Sequence, residues 1–547
     1  MLGGSLRAEG WIRVNQLGYL PGTPKVAVYM SDTPADLTTF EVRRTRSDEV
    51  AFSGPVSTED GSVWGMAEAF RLDFSNFQET GRYYIQAGKA RSPEFRIDRD
   101  VYEGTADFLL NYMRQQRCGY NPFLGDSCHV HDGIIVDHPD KSGEHIDVHG
   151  GWHDASDYLQ YTNTSANAVF QMLFAYHENP AAFRDYYDAS GHHGSNGRAD
   201  VLDEAVWGLE WLMRMNPAPG EMYNQIADDR DHAGYRLPTK DSVDYGLGKS
   251  RPVYFVTGER QGLGPHLNRT TGVASTAGKF ASAFAMGAKV LKEEKPQWTG
   301  EMLQKAMDAF QFGKKEPGAT QTACFVSPYF YEEQNYVDDL ELGAAALAMA
   351  IPDSLDQWLH RADFWGQVEP VTPWIAFHGA RHYQYYPFVN AGHYLIARQA
   401  DAGLRDKYLG FMKNGLEILA EEAADDPFRI GVPFIWCSNN LVAAALTQAR
   451  LYHRESGDDR FLEMEAALRD WLFGCNPWGT SMICDLPEDG DSPQRPHSSY
   501  SVIMDENTTG GLVDGPVYSS IYESLRGIEL QQDDEYAPFQ HGKAVYH

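Results

Sequence analysis

The feature that most constrains this chain is a change of hydrophobic period near residue 99. Upstream, Trp11-Ile12-Arg13-Val14-Asn15, Lys25-Val26-Ala27-Val28-Tyr29, Phe70-Arg71-Leu72-Asp73-Phe74, Arg82-Tyr83-Tyr84-Ile85 and Glu94-Phe95-Arg96-Ile97 alternate or are β-branched and aromatic. Pro21-Gly22, Asp60-Gly61 and Gly81 punctuate them at the spacing of a small β-sandwich. Downstream the period is helical. The clearest stretch is 199–214, where Leu202, Ala205, Val206, Leu209, Leu212 and Met213 form one apolar stripe closed by Asn216-Pro217. Comparable stretches lie near 100–117, 164–177, 272–292, 299–312, 338–350, 353–364, 385–399, 402–422, 438–454 and 459–473. About a dozen helices without strand signals between them predict a mainly α domain, an α/α toroid whose long loops build a site at one end. The domain boundaries read from this switch are 1–98 for the sandwich and 99–547 for the helical domain.

Length supports two cores, since 547 residues exceed what a single one organises. The balance of 46 Lys plus Arg against 77 Asp plus Glu leaves −31, which excludes nucleic acid and anionic membrane surfaces as natural partners and favours a neutral substrate. Aromatics at 13%, with 12 Trp and 30 Tyr, exceed the needs of a core and suit a cleft that stacks sugar rings. No apolar run reaches the roughly 20 residues of a membrane span, so no membrane insertion is expected. The N-terminus MLGGSLRAEG has no secretory h-region; the chain is expected to act outside the cytoplasm, secreted, periplasmic or extracellular, with its signal peptide already absent. The six cysteines (118, 128, 324, 437, 475, 484) are too few for a disulfide scaffold. A monomer without an organic cofactor is expected.

The chemistry concentrates in Gly150-Gly151-Trp152-His153-Asp154-Ala155-Ser156-Asp157-Tyr158. Two carboxylates three residues apart can share one water, one as base and the other as orienter, while a bland alternative makes them an N-cap and a first-turn acid of the following helix. The flanking glycines permit close backbone approach, and Trp152, Tyr158 and Tyr161 are of the kind that line a sugar cleft.

This segment resembles the base-bearing motif of glycoside hydrolase family 9, usually GG-aromatic-x-DAGD. Arg13-Val14-Asn15-Gln16-Leu17-Gly18-Tyr19 resembles the start of the immunoglobulin-like domain that precedes the catalytic module in one branch. Asp203–Leu212, Asn224–His232, Val389–Tyr394, Gly474–Pro477 and Pro493–Ser498 resemble family segments in the same order. The resemblance implies an immunoglobulin-like β-sandwich on an (α/α)6 toroid that cleaves β-1,4-glucosidic bonds of cellulose-like or related plant β-glucans, as oligo- or polysaccharide, with inversion. It makes Asp157 the catalytic base, Asp154 its partner in holding the water, and His497 a cleft histidine touching sugar hydroxyls. Ser498 and Ser499 follow His497 where the family often has His-Arg. Two alternatives stand beside the endo-acting reading: an exo-acting glucosidase or glucosaminidase of the same family, and a non-catalytic sugar-binding protein.

The family's general acid is a Glu in an Asn-Glu pair after a segment that Gly510–Pro516 resembles. By that resemblance the pair is expected shortly beyond His547, which leaves the catalytic domain truncated and the chain weakly active. Glu523, Glu529 and Glu535 do not follow Asn and read as surface residues.

Cys118, Cys128 and His129, with a downstream histidine, could hold tetrahedral zinc, remain buried free thiols or form a disulfide. The resemblance favours a structural zinc, and His153 is taken as fourth ligand over His131, His138, His145 and His149. Asp338-Asp339 resembles the family's Asp-Glu-Leu calcium element, though an acidic first turn needs no metal. The run Arg381–Pro387, which contains Tyr385, together with Trp374 and Trp478, offers stacking surfaces for pyranose rings.

Overall fold

A computed structural model of the chain describes residues 10–520 except 156, 327–329, 495, 497 and 519. Two antiparallel sheets form the N-terminal domain. The first runs Gly10–Arg13, Val26–Ser31, Glu68–Asp73, Ser57–Glu59; the second runs Val50–Pro55, Thr39–Arg44, Gly81–Ala87, Ala90–Arg91, with Phe95–Ile97 also on Gly81–Ala87. Ile12, Ala27, Phe40, Val42, Leu72, Ile85 and Ile97 from both sheets close its core. Thr39–Arg44 and Val50–Pro55 were not among the expected strands: Arg43, Arg44, Ser53 and Gly54 dilute their alternation.

The last sandwich strand ends at Ile97 and the first helix is Thr105–Gln115. From there the chain folds as successive helical hairpins. Thr162–Glu178, Ala274–Val290, Val337–Ala350, Ala391–Gln399 and Ser438–Ser456 pack one on the next as an inner series, and Asp200–Met215, Pro296–Lys315, Leu355–Gly366, Ala402–Glu422 and Leu462–Leu472 cover them outside. The inner helices are small-residue-rich because both faces are covered; every residue from Ala274 to Ala288 is buried. The outer ones keep a polar stripe, which is why 199–214 reads so clearly. This is the α/α toroid expected.

Two expectations are corrected. The stretch 385–399 becomes a helix only at Ala391, because Tyr383 and Phe388 take left-handed backbone and Pro387 sits between them. The loops also contain strands: Ile134–Val136, Pro252–Phe255, Tyr223–Ile226 and Gln160–Tyr161 make a mixed sheet, and Gly119–Asn121 pairs with Asp126–Cys128. At two to four residues they are too short to show a period.

The sandwich is docked firmly on the toroid. Trp64 inserts among Phe428, Phe434, Trp471 and Trp478, and its indole N–H donates to Asp426 Oδ1 at 3.2 Å. Asn15 Nδ2 donates to Asp470 Oδ1 at 2.8 Å, and the Arg71 guanidinium donates to the Pro427 carbonyl at 2.8 Å.

Candidate active site

Neither aspartate of the central segment caps a helix. Asp154 and Asp157 occupy a loop that returns through Gln160–Tyr161 before the helix Thr162–Glu178 begins, with the Asp154 N–H donating to the Leu159 carbonyl at 2.8 Å. The glycines ahead of them serve packing: Gly151 has φ +71, and a Cβ there would lie 2.7 Å from the Trp211 ring. Helix Asp200–Met215 then pins the segment, as Trp211 Nε1 donates to Val148 O at 3.0 Å, Trp207 Nε1 to Gly151 O at 2.9 Å and Arg214 to His149 O at 2.6 Å.

The two carboxylates have different partners. Tyr331 donates its hydroxyl to Asp154 Oδ2, and Thr164 Oγ1 reaches Oδ1 at 3.4 Å. Burial pushes the Asp154 carboxyl up to about 7; the charges of Asp157 and Asp514 add to this, and the hydrogen bonds from Tyr331 and Thr164 oppose it. Asp157 instead pairs with His232 Nε2. Burial acts to lower the His232 imidazole, but the hydrogen bond and charge of Asp157, with Asp231 and Asp229, carry it above its ordinary value.

Tyr331 is set by neighbours on several sides. It stacks on Tyr383 with centroids 4.3 Å apart and planes 2° apart, and meets Tyr161 at 4.4 Å. Its backbone N–H donates to Thr322 Oγ1 at 2.9 Å. Asp514, in the segment after Gly510, is close enough for its charge to raise both Asp154 and Cys437. Tyr331, His232 and Asp514 were not singled out from the sequence, and Tyr383 was reached only as a member of the run Arg381–Pro387. His232 had a signal in its family-like block, whereas Tyr331 lies 177 residues from Asp154 in a segment without a motif.

Several expected sugar-binding residues are corrected to structural roles. Trp152 is buried, donates to Glu204 Oε2 at 3.3 Å and lies where a Cβ on Gly208 would clash with its ring. Trp374 is fully buried and donates to Phe388 O at 2.8 Å, and Trp478 belongs to the Trp64 cluster. Tyr158 is buried too, its hydroxyl on Arg236 O and its N–H on Asp231 Oδ1 at 2.6 Å. Tyr385 keeps a half-exposed ring at the edge of the helical core, and Tyr383 stacks on Tyr331. His497, Glu523, Glu529 and Glu535 lie outside the described residues.

Cys118, Cys128, His129 and His153 converge, their ligand atoms all within 4.8 Å of one another. All six cysteines are free and buried, so the disulfide alternative falls. The closest pairs are His129 Nδ1 to His153 Nε2 at 3.3 Å, Cys128 Sγ to His153 Nε2 at 3.7 Å and Cys118 Sγ to His129 Nδ1 at 3.8 Å. Tetrahedral zinc with bonds of about 2.0–2.3 Å requires edges of about 3.3–3.8 Å, so the set fits that ion. His129 Nε2 faces Asp241 Oδ2 at 3.0 Å, the outer carboxylate that orients a ligating imidazole. Among the described residues no second set of this kind forms; at Asp338 and Asp339, where calcium is expected, Asp339 Oδ2 accepts from the Lys279 ammonium at 2.7 Å.

Comparison with known proteins agrees with this architecture. A profile described as "Glycosyl hydrolase family 9" matches residues 102–538, and one described as "Cellulase N-terminal ig-like domain" matches residues 7–92. The chain is 23% identical to a cellodextrinase of Butyrivibrio fibrisolvens, across 95% of this chain and 93% of that one. It is similar to a metagenome-derived glycoside hydrolase family 9 endoglucanase, at TM-score 0.75 and 25% identity over 93% of this chain and 91% of the other. A Zn-binding triple mutant of the family 9 endoglucanase J30 gives TM-score 0.73 at 23% identity, over 91% and 90%.

Proposed function

The chain belongs to glycosyl hydrolase family 9, and from that premise we propose that it hydrolyses β-1,4-glucosidic bonds of cellulose-like glucans with inversion, endo-acting, outside the cell where a polymeric substrate is met. One observation carries the reading: two carboxylates of a single rigid loop, each held by a different partner. Asp157, oriented by His232, takes a proton from the attacking water, and Asp154, anchored by Tyr331, accepts that water's second hydrogen bond. A carboxylic acid on the opposite face of the sugar ring gives its proton to the departing glycosidic oxygen. An inverting site separates base and acid carboxyls by about 6.5–9.5 Å so that water fits between base and anomeric carbon. Replacing Asp157→Ala should abolish turnover of cello-oligosaccharides while circular dichroism and melting temperature stay near those of the unaltered protein. Proton NMR of fresh product should show the inverted anomer; a retained anomer would falsify the mechanism.

The whole-length similarity to a protein named a cellodextrinase favours a second reading, in which short cello-oligosaccharides are trimmed from their ends. Product profiles on cello-oligosaccharides, xyloglucan and mixed-linkage glucan separate the two. In either case Cys118, Cys128, His129 and His153 would hold a structural zinc, whose chemistry is limited to cross-linking the loop; the chain's own residues hold and activate the water.

A further inference from the structure

Lys279 is the one lysine of helix Ala274–Val290 that points into the interior, and it is 3% exposed. Its ammonium donates to Glu333 Oε1 and, at 2.7 Å, to Asp339 Oδ2. Asp338 and Glu369 crowd the same space, each close enough to raise the carboxyl of Asp338 or its neighbours, and Asn335 Nδ2 donates to Glu369 Oε1 at 3.0 Å. Glu333 Oε2 and Asp338 Oδ1 are buried and without a hydrogen-bond partner. The pocket therefore holds more acceptor capacity than one ammonium fills.

A calcium ion between Glu333 and Asp339 would sit about 2.3–2.6 Å from their oxygens, essentially where the lysine nitrogen already is. Two cations of like sign cannot share that point in a buried site. The helices approach so closely here that a Cβ on Gly278 would lie 2.6 Å from the Asp339 backbone, so Lys279 has no other place to go.

We propose that the Lys279 ammonium is the built-in cation of this acid-lined pocket, excluding the calcium that family resemblance implies, and that it fastens the loop carrying Tyr331. The mechanical link is short. Glu333 follows Tyr331 by two residues, its carbonyl accepts from Gln321 Nε2 at 3.0 Å, and Gln334 N donates to Gln384 O at 2.9 Å. Those bonds lace the Tyr331 segment to the one bearing Tyr383, so the cation that fixes Glu333 also fixes the aromatic pair beneath Asp154. Metal content and melting are independent of which reaction the site performs; only the loop-fastening half rests on the reading of Asp154 given above.

The test compares the full chain with Lys279→Ala, and with Lys279→Met, which keeps most of the stem's volume. Both variants, dialysed free of calcium, should melt lower than the unaltered protein. On titration with calcium chloride each should gain a saturable upward shift in melting temperature and bind about one equivalent more calcium than the unaltered chain by plasma emission spectrometry. Lys279→Arg, which keeps the cation, should show neither gain. Variants that fold yet gain no calcium would overturn the proposal. If neither variant folds in either buffer, crystals of the unaltered protein soaked in terbium decide: anomalous density between Glu333 and Asp339 overturns the proposal, and its absence there supports it. Recovery of the melting temperature without recovery of cellodextrin turnover would sink the loop-fastening half alone.

Discussion

At the scale of single residues, the site depends on how neighbours bias two chemically identical side chains. Asp154 accepts from two hydroxyls and sits high, while Asp157 faces an imidazole that its own charge raises. Protonated His232 sets a positive charge directly against the Asp157 side chain. His232→Gln should lower kcat about 10–100-fold with a smaller change in KM, because the carboxylate loses its orienting partner. The raised imidazole also has a pH signature. The pair's contribution to stability is whole below the ordinary histidine value of about 6.5 and is lost as pH rises through the higher folded value. Melting temperature should thus decline across that window in the unaltered protein and not in His232→Gln. Parallel curves would show that the imidazole does not hold the carboxylate.

At the scale of elements, helix Asp200–Met215 and the cysteine-histidine cluster grip the loop bearing Asp154 and Asp157 from two sides. Gly151→Ala forces a left-handed alanine and drives a methyl into Trp211, a loss of at least about 1–2 kcal/mol before the clash is counted. Chemical denaturation should reveal that loss, with activity falling further than stability alone requires. Zinc removal acts on the other side. Treatment with 1,10-phenanthroline should release about one zinc per chain, lower the melting temperature and abolish activity, all reversed by added zinc. A chelated protein with unchanged melting would assign the four residues to packing instead. Resemblance to family segments pointed to this loop and to the cluster of Cys118, Cys128, His129 and His153 beside it. It missed Tyr331, which reaches Asp154 only through tertiary contacts.

At the scale of the whole molecule, the sandwich works as a fixed buttress. Trp64 belongs to the same core as the toroid, so Trp64→Ala should cost about 3–5 kcal/mol and lower the melting temperature of both domains together. Two separated transitions would mean the domains fold independently. Periodicity alone determined the order of architectures, a sandwich and then a toroid, because strand and helix patterns are local properties of ten or twenty residues. The glycine-flanked pair Asp154 and Asp157 and the cluster of Cys118, Cys128, His129 and His153 were legible through their resemblance to family segments. The tertiary structure alone decided that Trp152, Trp374 and Trp478, which look identical in sequence to sugar platforms, are buried. It also decided that Asp339 meets the Lys279 ammonium, 60 residues away. Burial and charge pairing are set by what lies across a packed interface, and local sequence carries no record of that.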